Sequence, residues 1–209
     1  MDRLLEGYRN FREKYESDHE VFDRLAEEGQ HPKVMWIGCA DSRVVPELIT
    51  GADPGELFDL RNIANVVPPA SSADCATGAA VEYAVRHLRV EHIVVCGHTD
   101  CGGIAALEAE LDGAAEPHIV SWLELARPAL DQVLAAGVPD EKRSLETIKT
   151  NVLLQLDNLR THDCVAEAER AGRVKLHGWL YDLREGRISA HDAATGDWTP
   201  IAKGPGAGG

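Results

Sequence analysis

Two short apolar runs, each ending at a glycine and followed by a cysteine- and histidine-containing polar segment, constrain the fold of this chain most strongly. Residues 34–37 read VMWI and precede Gly38, and residues 93–96 read IVVC and precede Gly97. Continuous apolar runs of this length are typical of strands that are covered on both faces. We therefore expect two buried strands whose carboxyl ends carry polar side chains.

The remaining pattern alternates helices with strands. It predicts a weaker strand at residues 57–60, a helix over 71–88, mostly helices from about 103 to 171, and late strands at 174–181 and 187–191. This alternation favours an α/β fold with a central, mostly parallel β-sheet flanked by helices.

The two ends of the chain differ from this central region. Two amphipathic helices within residues 1–30 predict an N-terminal helical arm, and packing on a second subunit is one way to bury its apolar side. Residues 203–209 (KGPGAGG) are too rich in glycine and proline to order themselves. We expect a single domain over residues 1–202 and a disordered tail over 203–209.

The composition excludes several classes of protein. Among 209 residues, 21 Lys+Arg and 35 Asp+Glu give a net charge of −14, which argues against binding to nucleic acid or to an anionic membrane surface. No apolar run reaches the roughly 18–20 residues of a membrane span. Five cysteines, an odd and low number, and an N-terminus without an apolar signal segment favour a reducing, cytoplasmic environment.

The cysteine and histidine side chains at the two strand ends predict a metal site. Cys39 follows the first strand, and His98 and Cys101 follow the second, and carboxyl ends of neighbouring parallel strands are where open sheets build their sites. Two thiolates and one imidazole match a catalytic zinc site with three protein ligands and a free fourth position. The alternatives are a structural zinc site or unrelated buried residues.

Asp41 and Arg43 lie beside the first ligand. Because two thiolates neutralise the charge of Zn²⁺, the metal acidifies water less than a three-histidine site does, and a hydrogen-bond acceptor that orients the nucleophile is then useful. Asp41 can be that acceptor, and Arg43 can hold its carboxylate in a charge-assisted pair. Without Arg43, Asp41 could bind zinc itself. Asp100 either bonds to local backbone or supports Arg43, and an ordinary surface ion pair is the simpler alternative for Asp41 and Arg43.

Four motifs carry a resemblance to a known family: CADSR at 39–43, LRNIAN at 60–65, HTDCGG at 98–103 and HGWLYD at 177–182. With them, the chain resembles the β-class carbonic anhydrases over roughly residues 3–200. The resemblance implies one Zn²⁺ per chain on Cys39, His98 and Cys101, a catalytic Asp41–Arg43 dyad, and reversible hydration of carbon dioxide to bicarbonate and a proton.

The same resemblance implies further features of fold and site. It implies four parallel strands with a fifth added antiparallel, a homodimer that can assemble into a homotetramer, and a carbon dioxide pocket that includes Val44 and Gly102.

A narrower resemblance is to a bacterial subclass often called type II. There a Trp, an Arg and a Tyr bind bicarbonate away from the zinc, and the matching positions are Trp36, Arg61 and Tyr181. The resemblance implies that Asp41 switches between a fourth zinc ligand in the inactive state and the partner of Arg43 in the active state. The simpler alternative is that Trp36 and Tyr181 are core residues and that Arg61 is in a structural pair.

Two other functions fit the same motifs. Relatives that hydrolyse carbonyl sulfide or carbon disulfide use the same fold and ligands. The metal motif cannot separate these substrates from carbon dioxide, because all three are linear heterocumulenes. A non-catalytic zinc or bicarbonate-sensing module is the second alternative, and an intact Asp41–Arg43 dyad argues against it.

Overall fold

The computed structural model describes residues 1–17, 19–109 and 111–201. The chain divides into two compact units, residues 1–31 and the chain from Pro32 onward. The tail predicted for residues 203–209 lies outside the described residues. Within the described ranges, no helix has the length and apolar character needed to cross a membrane.

The first unit consists of two helices, α1 (Asp2–Ser17) and α2 (Glu20–Glu28). Aromatic contacts join them, with the rings of Tyr15 and Phe22 centred 4.8 Å apart. The predicted helical arm is confirmed. The apolar side chains of α1 remain exposed: Leu4 is 72% exposed and Tyr8 is 61% exposed.

The second unit is built on one sheet. Among the described residues, six strands have the order β2-β1-β3-β4-β5-β6. Their bounds are β1 Val34–Cys39, β2 Leu57–Asn62, β3 His92–His98, β4 Lys175–Asp182, β5 Arg187–His191 and β6 Trp198–Pro200. The strands β2, β1, β3 and β4 pair in parallel, and β5 is antiparallel to β4. This confirms the predicted fold class, and the short strand β6, antiparallel to β5, extends the sheet by one strand.

Helices connect the strands. Their bounds are α3 Pro46–Thr50, α4 Ala76–Glu82, α5 Gly102–Ala105, α6 Pro117–Leu123, α7 Arg127–Ala135, α8 Asp140–Arg160 and α9 Asp163–Arg170. A π-helical segment, Tyr83–Leu88, continues α4. The helix predicted from residue 71 begins at Ala76, because the preceding residues form turns: the Ser72 hydroxyl accepts the Asp74 amide, and the Asp74 carboxylate accepts the Thr77 amide.

The two faces of the sheet are packed differently. One face, which includes Met35, Ile37 and Val95, belongs to the main core together with Val152 of α8. Glycine at position 97 permits this packing, because a Cβ there would lie 2.8 Å from Val152 Cγ2. The other face carries a smaller cluster centred on Trp36, Val94 and Cys96, with Trp179 and Tyr181 packed against it.

The central strands β1 and β3 place the functional segments side by side. They pair in parallel, with Gly38 opposite Cys96, so their carboxyl ends meet at one edge of the sheet. Both strands run two residues further than predicted. Cys39 is therefore the last residue of β1, and His98 is the last residue of β3. The regular backbone of the sheet thus fixes two of the three predicted ligands.

Candidate metal centre

The side chains of Cys39, His98 and Cys101 converge at the carboxyl ends of β1 and β3. Their ligand atoms all lie within 4.8 Å of one another, and all three residues are buried. The two sulfur atoms are 3.9 Å apart. Two sulfurs about 2.3 Å from a tetrahedral zinc lie roughly 3.8 Å apart, so the spacing fits a shared ion.

The orientation of His98 also fits a metal. Its Nδ1 lies 2.8 Å from the carbonyl oxygen of Thr99, and this contact fixes the ring with a proton on Nδ1. Its Nε2 is buried and has no hydrogen-bond partner among the described residues. An unprotonated, unpartnered Nε2 beside two thiols is the donor set of a zinc site.

The two thiols influence each other's ionisation. The neighbouring Cys101 thiol first, and then the nearby His98 side chain and the backbone of Asp41 and Ala64, lower the pKa of Cys39 against the effect of burial. The Cys39 sulfur, together with burial, raises the pKa of Cys101. Two adjacent thiolates repel each other unless a cation lies between them, so this pair is suited to a divalent metal.

Asp41 is paired with Arg43 at the rim of the site. Asp41 Oδ1 accepts hydrogen bonds from Arg43 N and Nε, both at 2.9 Å, and Oδ2 accepts one from Nη2 at 2.7 Å. These bonds hold the pKa of the Asp41 carboxyl well below its usual range. Asp41 Oδ2 also lies 3.8 Å from His98 Nε2, so the ionised carboxylate is next to the ligand set.

Two further contacts fix this loop. Arg43 Nη2 donates to the carbonyl oxygen of Asp100 at 3.1 Å, while the Asp100 carboxylate pairs with Arg184. The backbone carbonyl of Asp100 thus supports Arg43, whereas the Asp100 side chain pairs with Arg184, a partner that the sequence did not indicate. Arg61 donates to the carbonyl oxygens of Cys39 at 3.0 Å and of Asp41 at 2.7 Å.

Trp36 and Tyr181 lie on the sheet face opposite the main core. Trp36 is fully buried, and its indole Nε1 has no hydrogen-bond partner among the described residues. Glycine at 38 makes room for the ring, because a Cβ there would lie 2.5 Å from that nitrogen. Tyr181 packs against the same cluster, and Arg61 belongs to β2 at the position opposite Gly38.

Val44 and Gly102, the two residues expected in the substrate pocket, follow the two ligand-bearing strands. Val44 is 1% exposed, and its amide donates to the Asp41 carbonyl oxygen at 3.0 Å. Gly102 begins α5 next to Cys101, and apart from its chain neighbours and its own helix backbone no described atom lies within 4 Å of the position that its Cβ would take.

Sequence reasoning missed several residues that support the site. The Thr99 hydroxyl accepts the Leu183 amide, while the Thr99 amide donates to the Tyr181 carbonyl. Trp122 and Asn151 donate to the carbonyl oxygens of Ile63 and Ala64. Except for the position of Thr99 within the HTDCGG motif, no local sequence signal identifies these contacts, because they join segments far apart in the chain.

Comparison with known families agrees with this geometry. A family model described as carbonic anhydrase matches residues 34–188. A carbonic anhydrase of Pseudomonas aeruginosa is 42% identical over 207 residues, which cover 98% of this chain and 94% of the relative. Carbonic anhydrase 1 of Escherichia coli O157:H7 is 38% identical over 209 residues, with coverage of 98% and 94%.

Solved structures agree with the fold. The β-carbonic anhydrase CcaA superimposes with a TM-score of 0.89 at 36% identity, covering 96% of this chain and 99% of that chain. One of two tetrameric β-carbonic anhydrases from Sordaria macrospora gives a TM-score of 0.76 at 34% identity, with coverage of 90% and 94%.

Proposed function

The chain belongs to the β-class carbonic anhydrases, zinc enzymes that hydrate carbon dioxide, and on that premise we propose how its residues hold the metal and regulate it. Cys39, His98 and Cys101 hold the zinc, and Asp41 and Arg43 form the catalytic dyad. The observation that supports this most directly is the buried His98 Nε2, which has no hydrogen-bond partner among the described residues and lies beside two sulfurs 3.9 Å apart.

In the reaction, a bound zinc ion supplies Lewis acidity that lowers the pKa of water. Arg43 keeps the Asp41 carboxylate ionised and directed toward His98, so that Asp41 accepts a hydrogen bond from the nucleophile and orients it. Val44 and Gly102 border the space for carbon dioxide. The buried aliphatic side chain of Val44 suits a small apolar substrate, and Gly102 has no side chain to fill the space.

Asp41 is also the proposed switch. Its carboxylate lies close enough to the ligand set to become a fourth ligand once Arg43 releases it, and the Arg43 side chain is 53% exposed. The exposed guanidinium is accessible to water and to anions, which can compete for its contacts to the carboxylate. In the inactive state Asp41 binds zinc, and in the active state it pairs with Arg43.

Bicarbonate acts on this switch through Trp36, Arg61 and Tyr181. Arg61 holds the segment between Cys39 and Asp41 by two carbonyl oxygens, and an anion that captures the guanidinium competes with those contacts. The buried Trp36 indole N–H supplies a further donor, and Tyr181 contributes a hydroxyl.

The test is the initial rate of carbon dioxide hydration against pH, with and without added bicarbonate. We expect a steep, cooperative loss of activity below neutral pH that bicarbonate strengthens. Trp36→Phe, which removes only the indole donor, should weaken the bicarbonate effect, while Trp179→Phe on the same face should not. Simple competitive inhibition with no steep acid loss would contradict the switch. Parallel assays with carbonyl sulfide and carbon disulfide define the substrate range.

We also propose that the protein is a homodimer that assembles further into a homotetramer. The exposed apolar side chains of α1, Leu4, Leu5, Tyr8 and Phe11, form a surface that a second copy of the chain can cover. The similar enzymes of Sordaria macrospora are described as tetrameric.

Sedimentation equilibrium tests the assembly. The wild-type mass should be that of a dimer or tetramer, and Leu4→Glu with Tyr8→Glu should reduce it, while Glu13→Lys in the same helix should not. A monomeric wild-type mass would contradict the proposal. The five free cysteines suit a reducing environment, so we place the protein in the cytoplasm.

A further inference from the structure

A surface cavity of about 560 Å³ lies at the end of the sheet opposite the proposed zinc ligands. Glu91, directly before β3, and Arg173, two residues before β4, line it. The ligands, by contrast, lie at the carboxyl ends of β1 and β3. The cavity has the volume of a typical small-molecule site, and a ligand bound there is separate from the carbon dioxide and bicarbonate of the metal centre.

Three arginines line the cavity without partners of their own: Arg86, Arg89 and Arg173. In the described part of the chain, their guanidinium groups make no hydrogen bond or ion pair. Every other arginine of the second unit except Arg170 pairs with a carboxylate or donates to a carbonyl oxygen. Three unpaired guanidinium groups at one cavity, in a chain with 35 acidic residues, indicate a site for an anion.

The charges around the cavity suit a doubly charged anion. Glu91 is paired with Lys33 at 2.6 Å, so this pair contributes no net charge. The three arginines then face one carboxylate without an ion pair among the described residues, that of Glu167. A phosphate monoester carries about −1.5 to −2 charges at pH 7, and guanidinium groups bind phosphate oxygens in a bidentate manner. Bicarbonate, with a single negative charge, matches this excess of positive charge less well.

Arg86 also lines a second, smaller cavity of about 230 Å³. The carboxylates of Asp74, Glu82 and Asp163 border that cavity, and within the described ranges Arg86 forms an ion pair with none of them. Carboxylates repel an anion. An anion that approaches Arg86 is therefore directed to the larger cavity, where the other two arginines lie.

The backbone that carries two of these arginines is unusual. Arg86 lies in the π-helical segment, a rare geometry that is frequent at functional sites. Arg89 follows that segment with a φ of 56°, in the left-handed region where helix ends favour glycine. Four other helices are followed within two residues by a glycine of positive φ: Gly29, Gly51, Gly137 and Gly172. An arginine at a position that favours glycine indicates that its side chain has a function there.

We propose that this cavity binds a small phosphate monoester, with the phosphate group on the three guanidinium groups. The organic part of the ester lies against Val85, Val90 and Cys164, which are buried and give the cavity an apolar floor. Burial of an apolar or aromatic group on this floor adds to the charge attraction. The charged side chains thus select the phosphate, and the floor favours an ester over inorganic phosphate.

Isothermal titration calorimetry on the zinc-loaded protein tests the site, with phenyl phosphate and inorganic phosphate as probes in chloride buffers of equal ionic strength. Phenyl phosphate should bind the wild type with a dissociation constant of about 1 mM or lower. Inorganic phosphate, which has no ring to bury, should bind several-fold more weakly. Phenyl phosphate that binds no more tightly than inorganic phosphate would overturn the assignment of an ester.

Arg89→Gly is the decisive variant, because glycine is favoured at the φ of residue 89 and the fold is kept. Its affinity for phenyl phosphate should fall by about tenfold or more, since a charge-assisted contact is lost. Without ligand, its melting temperature should be no lower than that of the wild type. Arg173→Gln, in a different segment of the chain, should lower the affinity by a similar factor.

Arg170→Gln is the matched control. Arg170 is an exposed arginine without an ion pair among the described residues, and it does not line the cavity. This variant makes the same change in net charge as Arg173→Gln, and it should bind phenyl phosphate as the wild type does.

Three outcomes would overturn the site. The first is a wild-type protein that binds no phenyl phosphate at about 10 mM. The second is wild-type affinity in both Arg89→Gly and Arg173→Gln, which would place the ligand elsewhere. The third is an equal loss of affinity in Arg170→Gln, which would show that net charge and not the cavity attracts the ligand. The zinc site is untouched by each outcome, because no residue of the cavity is among the proposed ligands.

Discussion

The two sides of the zinc site are held by different kinds of interaction. The segment after β1 carries Asp41 and Arg43 and is fixed by charged side chains, and the Arg43 side chain is 53% exposed. The β3 side carries His98 at the end of the strand and Cys101 after it, and backbone groups fix it. The Thr99 carbonyl oxygen accepts a hydrogen bond from the His98 ring, and the amides of Thr99 and Ala105 donate to the carbonyl oxygens of Tyr181 and Cys101.

Because the two sides are held by different interactions, we expect the β3 side to retain the metal and the β1 side to regulate its activity. Water, protons and anions compete readily with exposed charge pairs, which contribute at most about 1 kcal/mol each. Buried backbone hydrogen bonds have no such competitor, and breaking one leaves a buried group unsatisfied at a cost of about 1–3 kcal/mol. We therefore expect loss of a ligand on the β3 side to change metal content, and variants of Asp41 and Arg43 on the β1 side to change rate and regulation at constant metal content.

The largest effect is expected from Cys101→Ala on the β3 side. Cys39 and His98 alone leave a two-ligand site, which does not satisfy the usual coordination of a catalytic zinc. Zinc content should fall from one per chain to less than about a tenth, and carbon dioxide hydration should fall to background. Elemental analysis and stopped-flow assays measure both. Full zinc content in this variant would show that Cys101 is not a ligand.

The next largest effect is expected from Arg43→Lys on the β1 side. A lysine ammonium cannot reproduce the guanidinium contacts to both Asp41 oxygens and to the Asp100 carbonyl. The ratio kcat/KM should fall by roughly 10–100-fold, as for other residues that orient a group at a metal site. Zinc content should stay at one per chain, because in the described part of the chain no hydrogen bond joins Arg43 to the side chains of Cys39, His98 or Cys101. Loss of zinc together with rate would remove the distinction between the two sides.

The sequence predicted the parts of the site that depend on local pattern. The apolar runs before Cys39 and His98 indicate adjacent buried strands, and this alone brings the ligands to one edge of the sheet. The distance between Cys101 and His98 in the chain is short enough for one turn. The alternation of helices and strands, and the mostly parallel sheet that it favours, follow from the same kind of pattern.

The parts that could not be predicted depend on contacts between distant segments. Trp122 and Asn151 reach the turn at Ile63 and Ala64 from 59 and 87 residues away. The left-handed Ala64 has no sequence signal, because alanine does not favour that conformation and only the surrounding packing imposes it. Strand β6 has three residues, too few for a periodic pattern.

A smaller effect is expected from Thr99→Val on the β3 side. The Thr99 hydroxyl accepts the Leu183 amide at 3.0 Å, while its backbone carbonyl holds His98. Valine keeps the side-chain shape and the backbone carbonyl of residue 99, but it leaves the Leu183 amide without its acceptor. The free energy of unfolding should fall by about 1 kcal/mol, with zinc content unchanged. Urea denaturation measures this, and Thr99→Ser should restore the wild-type value. Loss of zinc in the valine variant would show that the backbone alone does not hold His98.

The smallest effect is expected from His177→Gln, at the opposite end of the sheet from the ligands. Burial first, and then the charges of His92 and Lys175, lower the pKa of His177. Its folded-state pKa therefore lies below its unfolded value of about 6.5, and the unfolded chain takes up the proton more readily. The stability due to neutral His177 is present above that value and is lost as the pH falls through the folded pKa. Urea midpoints from pH 8 to pH 5 should fall less steeply in the variant. If the urea midpoints of the wild type and of His177→Gln fall equally with pH, His177 does not contribute to the acid sensitivity of the fold. The variant also serves as a control for pH effects assigned to Asp41, because it changes a titrating group away from the metal site.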